Sequence, residues 1–278
     1  MKKVLAALLA VGLLAGTAAG AGIRTGILAK QNMGDEEFVK FVREHDTNFS
    51  GWKIMNASHS QDDKLTYFDS LASMLMALRS GKIDEAALPE PAAEYVVNTN
   101  SDFEMCCAVH SSPTHLALGF RNDEAGKRLC GMTNAALEAM KSERKLSILY
   151  AHYLNTPGKS QPPAETFTKI DGAETIRVAV TGDLPSLDMI SPNGTPVGFN
   201  TAVLAELGRR MRLNIELVDI ESGARTSALM SGRVDAVFWY LVWEGSDRQP
   251  SVPSGVLLSD SYYEWENFMH IRSLRRHS

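Results

Sequence analysis

Three aromatic residues close one apolar run near the C-terminal end: Trp239, Tyr240 and Trp243. Indole and phenol faces stack on flat or cationic groups, which is what a ligand platform needs. Side chains alternate along a strand, so not all three share a face. Trp239 and Trp243 do, and they are the expected platform. Asn32 and Met33 precede a predicted helix, where backbone N–H groups favour an anion; ordinary capping is the plainer reading. Asp84 and Asp235 follow helix stops and read as structural turn residues, not catalytic carboxylates. Three cysteines leave several outcomes open: a bridge from Cys130 to Cys106 or Cys107, a strained vicinal bridge between those two, or burial as small apolar thiols. Three thiols by themselves make a poor metal site, so none is expected.

The elements that position these residues come as a repeat. Ala228-Leu-Met-Ser-Gly-Arg-Val-Asp235 reads as the last turn of a helix, a glycine stop and the start of a strand. Ala77-Leu-Arg-Ser-Gly-Lys-Ile-Asp84 repeats it without a gap, sharing the Ala, Leu, Ser, Gly and Asp positions. Gly81 and Gly232 are natural left-handed helix terminators. The apolar run Val234 to Trp239 suits a parallel strand covered on both faces. Two copies half a chain apart predict two similar α/β lobes with a cleft between them.

The chain has 278 residues, 44% of them hydrophobic, and a formal net charge of -5. That is enough for one large or two small cored domains. The acidic balance and the lack of a basic stripe argue against nucleic-acid binding. Lys2-Lys3, the apolar Val4 to Gly16 and the small residues Ala19-Gly20-Ala21 form a signal-peptide pattern over 1–21, with cleavage near Ala21. The apolar run is short for a membrane span.

Strands are predicted at Ile23–Leu28, Lys53–Met55, Leu65–Phe68, Ile83–Leu88, Phe103–Val109, His115–Phe120, Thr175–Val180, Leu213–Val218 and Val234–Trp239. Helices are predicted near Asn32, from Asp69 or Ser70 through Leu78, over Ala92–Val97, and from Asn122 or Asp123 to about Lys141. Further helices reach Tyr153, start at an Asn200 cap, and cover Ser222–Met230. Asn155–Gly172, with Pro157, Gly158, Pro162 and Pro163, is the best linker.

The segment from Thr175 to about Ser273 resembles the first lobe of the periplasmic amino-acid-binding proteins, the family 3 solute-binding proteins of ABC transporters. Ile176-Arg-Val-Ala-Val-Thr-Gly-Asp183, Gly194-Thr-Pro-Val-Gly-Phe-Asn-Thr-Ala-Val-Leu204, Ser231-Gly-Arg-Val-Asp-Ala236 and Leu258-Ser-Asp-Ser-Tyr-Tyr263 carry the likeness. Ile23 to about Leu154 resembles the second lobe and the return helices, through Tyr67-Phe-Asp-Ser-Leu-Ala72, Ser80-Gly-Lys-Ile-Asp84, Pro91-Ala-Ala-Glu-Tyr95 and His115-Leu-Ala-Leu-Gly-Phe-Arg121. The order is inverted relative to the family. The resemblance therefore implies an α/β, two-lobed, periplasmic-binding-protein-like (type II) fold in circularly permuted order, or halves completed by swapping with a second chain. The implied layout is a signal peptide 1–21, a second-lobe-like domain 22–110, a return strand and helices 111–154, a linker 155–173 and a first-lobe-like domain 174–278.

The same resemblance implies the ligand contacts. In the family an arginine after the Gly-Lys-Val-Asp strand clamps the ligand's α-carboxylate, because a guanidinium matches a carboxylate in shape. Arg248 is that candidate here, about one residue late, with Ser246 in place of the usual threonine hydroxyl. The ammonium-binding aspartate is replaced by Pro89, leaving Glu90 beside it as the carboxylate. The family's aromatic-Pro-Phe stretch is replaced by Asp183-Leu-Pro-Ser-Leu187. The expected ligand-binding set is thus Arg248, Ser246, Trp239, Trp243, Asp183, Glu90 and Asn32. The implied function is a periplasmic protein that binds an amino acid or similar small polar solute by hinge closure. It would deliver that solute to an ABC transporter permease in the inner membrane, with no cofactor, no metal and no catalysis. A dehydratase-like enzyme on the same scaffold is the alternative, with Glu90 or Asp183 as its general acid; a sensor that kept the clam without transport is another.

Overall fold

The structure is a computed structural model and describes residues 22–28, 64–154, 166–191, 193–243 and 252–274. The predicted helix near Asn32 and strand at Lys53–Met55 lie outside the described residues. In the first half, β1 (Arg24–Leu28) pairs in parallel with β2 (Lys64–Phe68) and β3 (Glu85–Pro89). Between β2 and β3, α1 (Leu71–Arg79) buries Leu71, Met74, Ala77 and Leu78, the face its 3–4 spacing predicts. Ser70 caps it by accepting the Ser73 N–H. Next, α2 (Glu90–Thr99) follows β3 directly, with Pro91 in the first turn, where a missing N–H is harmless.

The chain then enters β4 (Phe103–Arg121), α3 (Glu124–Ser142) and α4 (Lys145–Tyr153). Asp123 caps α3 by accepting the Gly126 N–H at 2.8 Å. The second half begins with β5 (Thr175–Val180). A small antiparallel sheet of β6 (Asp183–Leu184), β7 (Asp188–Ile190) and β8 (Pro196–Val197) follows, then α5 (Phe199–Met211). After these come β9 (Asn214–Asp219), a single 3-10 turn at Ser222–Ala224, α6 (Arg225–Met230) and β10 (Ala236–Trp243). The last elements are β11 (Val256–Leu258) and β12 (Tyr263–Ser273). Among the described residues no helix is long and apolar enough to cross a membrane.

One nine-stranded sheet runs β2-β1-β3-β12-β4-β10-β5-β9, with β11 added on β4. Its two halves have the same plan. In each, the first strand lies between the second and third in parallel. An antiparallel strand arriving from the other half comes next, and then a fourth strand. β12 is the arriving strand in the first half, between β3 and β4. β4 is the arriving strand in the second, between β10 and β11. These two long strands pair with each other from Leu116 opposite Tyr263 to Phe103 opposite Ser273, so two hydrogen-bonded strands join the halves. α3 and α4 pack with the second half: Arg210 of α5 pairs with Glu143 at 2.6 Å, and Thr133 lies 3.6 Å from the Met211 sulfur.

Three expectations need correction. The two strands expected at Phe103–Val109 and His115–Phe120 are one, because β10 and β12 both pair with the polar stretch between them and keep it extended. β10 likewise continues to Trp243 rather than stopping at Trp239. Asn200 is not a cap. Gly198 holds that place at φ 115°, and Asn200 is fully buried inside α5. Only glycine fits at 198, since a Cβ there would lie 2.6 Å from the Leu187 carbonyl oxygen.

Candidate functional site

Each half pins its helix stop to its first strand in the same way. Arg24 donates Nε and Nη2 to the two carboxylate oxygens of Asp84 at 2.9 and 2.6 Å, and its own N–H to the same group at 2.9 Å. Arg177 repeats this on Asp235 at 3.1, 3.0 and 2.8 Å. The side-chain hydrogen bond from Arg24 holds the Asp84 carboxyl below its ordinary range. Burial pushes Asp235 upward, but the side-chain and backbone hydrogen bonds of Arg177 outweigh it and the net shift is down. These aspartates therefore have the structural role their position predicts.

Ligands of open α/β sheets bind beyond the carboxyl ends of the strands. At the end of β5, Asp188 is 3% exposed and its Oδ2 accepts the N–H groups of Thr181 and Gly182 at 3.3 and 3.2 Å. β6 and β7 then pair Asp183 with Met189. At the start of α5, Asn200 accepts the Tyr262 hydroxyl at 3.1 Å. The Tyr262 ring stacks on Phe238 of β10, with centroids 5.3 Å apart and planes 10° apart. Arg225, fully buried, donates Nη1 to the Phe238 carbonyl at 3.0 Å. Burial drives the Tyr262 phenol well above its ordinary range; the Asp188 charge adds to this and the Arg225 charge opposes it. Asp188, Asn200, Arg225 and Tyr262 thus form a buried polar frame. It fixes the end of β5, the Phe238 position of β10 and the start of α5.

A contact beside this frame crosses to the other half. Asp183 Oδ2 accepts the backbone N–H of Leu71 at 3.1 Å. Leu71 opens α1, so the carboxylate meets a free N–H at the positive end of a helix. Of the other expected residues, Glu90 opens α2 and is exposed. It stands near Tyr263, whose phenol is raised mainly by burial and further by the charges of Tyr150 and Glu90. The Tyr263 ring lies 5.7 Å from Tyr150 and 5.2 Å from Phe199, at the start of crossing strand β12. Trp239 falls in a β-bulge, where the register shifts between Val237 and Tyr240, and Trp243 pairs with Thr114. Asn32, Ser246 and Arg248 lie outside the described residues. The structure thus places Asp183 at the junction of the halves and Glu90 beside the crossing strand. Asp188, Arg225 and Tyr262 were not singled out from sequence. Tyr262 did stand inside a quoted motif, but nothing in the linear chain marks Asp188 or Arg225 as buried charges.

Two α/β halves of matching strand order, joined by two crossing strands, define a two-lobed α/β architecture. Residues 176–254 match the bacterial extracellular solute-binding proteins, family 3. The match lies within the second half, under a third of the chain. No curated protein sequence matches. Among solved structures, the chain is similar to the ligand-binding component of an ABC-type import system from Staphylococcus aureus, with zinc bound, at 10% identity and TM-score 0.45. It is also similar to the alkanesulfonate-binding protein SsuA from Xanthomonas axonopodis pv. citri, bound to MOPS, at 13% identity and TM-score 0.42. The alignments cover 91% and 92% of this chain but only 66% of each of those chains. A third is the reduced OxyR regulatory domain from Pseudomonas aeruginosa, at 9% identity and TM-score 0.40, covering 92% of this chain and 90% of that one. All three scores are below 0.5, and no ligand or partner is carried over from those proteins.

Proposed function

We propose that this chain is an exported solute-binding protein that closes two jaws over an amino acid or similar small polar solute and presents it to an ABC transporter permease. The observation that carries the reading is the Asp183–Leu71 hydrogen bond. It spans two lobes of identical strand plan at the strand ends where such sites form. In this reading Arg248 and Ser246 hold the solute's carboxylate, Glu90 its ammonium, and Trp239 and Trp243 its side chain; Asn32 contributes from the first lobe. The lobes are encoded back to front. The chain starts in the family's second lobe (22–110), crosses through a return strand and helices (111–154), and passes a linker (155–173) into the family's first lobe (174–278). The pairing of α3 and α4 with α5 supports this order, because it puts the return helices beside the lobe that the linker enters.

Native mass spectrometry of the purified mature protein against a panel of amino acids and small polar acids tests the reading. One solute bound per chain, with affinity lost in Arg248→Ala, is expected. Turnover of a prephenate-like acid, or no solute retained from the panel, overturns it.

A further inference from the structure

A second cluster of chemically active side chains lies away from the lobe junction. Glu85, the first residue of β3, is 8% exposed, and its Oε1 accepts the Thr25 hydroxyl at 2.8 Å. The same oxygen is 2.8 Å from Nδ1 of His270, a fully buried residue of β12. Cys106 and Cys107 come from β4, between β12 and β10 in the sheet. Neighbours in a regular strand face opposite ways. Here the register slips: His270 pairs with Cys107 but Ile271 pairs with Met105, leaving Cys106 as the extra residue of a bulge. The two sulfurs consequently lie 3.6 Å apart. A Glu85 carboxylate oxygen and both sulfurs are all within 4.8 Å of one another.

These distances are those of a ligand set. Two thiolates on one tetrahedral zinc, with bonds of about 2.3 Å, sit roughly 3.8 Å apart. Two sulfurs and one oxygen suit a borderline-soft ion, whereas calcium and magnesium require oxygen-rich shells. We propose that Glu85, Cys106 and Cys107 bind one zinc-like divalent cation, with His270 as a positioning residue that orients the Glu85 carboxylate. Three protein ligands leave a fourth position open. The site ties β3 to β4 on the strands that lead to the crossing. It involves none of the residues assigned to the solute. Cys130 is separate: it lies on α3 with its sulfur 3.4 Å from the Leu258 carbonyl oxygen.

Cadmium titration of the reduced full chain reads this site through the thiolate-to-cadmium ultraviolet band. One equivalent should saturate the band, and zinc should compete it away. Cys106→Ser and Cys107→Ser should abolish saturation at one equivalent, and Cys130→Ser should leave it unchanged. His270→Gln should keep the band's intensity but weaken affinity about 10–100-fold. A band absent from the wild-type chain, surviving loss of both Cys106 and Cys107, or lost with Cys130, overturns the assignment. Circular dichroism checks the variants' folding. For any that do not fold, zinc protection of Cys106 and Cys107 from alkylation in the wild-type chain, mapped by peptide mass spectrometry, decides in their place; unprotected thiols contradict the site.

Discussion

Asp183 reaches from the end of one lobe's first strand to the N–H of Leu71 at the head of the other lobe's helix, 3.1 Å away. It links the two halves outside the crossing strands, and a carboxylate there occupies the kind of position an anionic ligand takes at a helix N-terminus.

That contact acts as a clasp. Asp183→Ala removes a charge-assisted hydrogen bond worth about 1 kcal/mol at a partly exposed position, roughly fivefold in an opening equilibrium. Small-angle scattering of the solute-free variant should show a more extended particle than the wild type. An unchanged profile means that the crossing strands alone set the lobe angle.

Acid should weaken both lobes. Asp84 and Asp235 have folded-state pKa values below their ordinary ones. Their contribution is complete above the unfolded carboxylate value of about 3.9 and disappears as pH falls through the lower folded values. Asp84→Asn should cost about 1 kcal/mol or less at neutral pH, because the pair is largely exposed, and should flatten the acid limb of the stability curve. Urea melts between neutral and acid pH check both statements.

The Asp84 and Asp235 roles were legible from sequence because the repeat Ser-Gly-x-x-Asp carries them. Their arginine partners were not, since they lie 60 and 58 residues away and only β-pairing brings them near. The strand-helix-strand units were also readable, from periodicity and glycine stops. The continuity of β4 was not: its polar middle reads as a break until β10 and β12 are seen to pair along it. Asn200 looked like a cap because asparagine favours that place, yet Gly198 starts the helix and Asn200 turns inward to Tyr262. His270 is a parallel case. It lies far from the cysteines along the chain, and the sheet brings it beside Cys106 from 164 residues away.

Gly198→Ala tests the α5 start. At φ 115°, with a Cβ 2.6 Å from the Leu187 carbonyl oxygen, alanine should cost about 1–3 kcal/mol. The thermal midpoint should fall by several degrees, while Gly223→Ala, where a Cβ meets nothing within 4 Å, should change it little.

Tyr262→Phe keeps the ring on Phe238 and removes the hydroxyl bonded to Asn200. It leaves a buried amide oxygen short of a donor, at a cost of about 1–3 kcal/mol. Denaturant unfolding should show that loss with an unchanged slope, as for an intact fold.

The most direct test of the jaws is small-angle scattering of the wild-type chain with and without the solute that native mass spectrometry identifies. The account predicts that saturating solute makes the particle more compact, and that Arg248→Ala abolishes the change at the same concentration. A bound solute that leaves the scattering profile unaltered would contradict closure of two lobes around it.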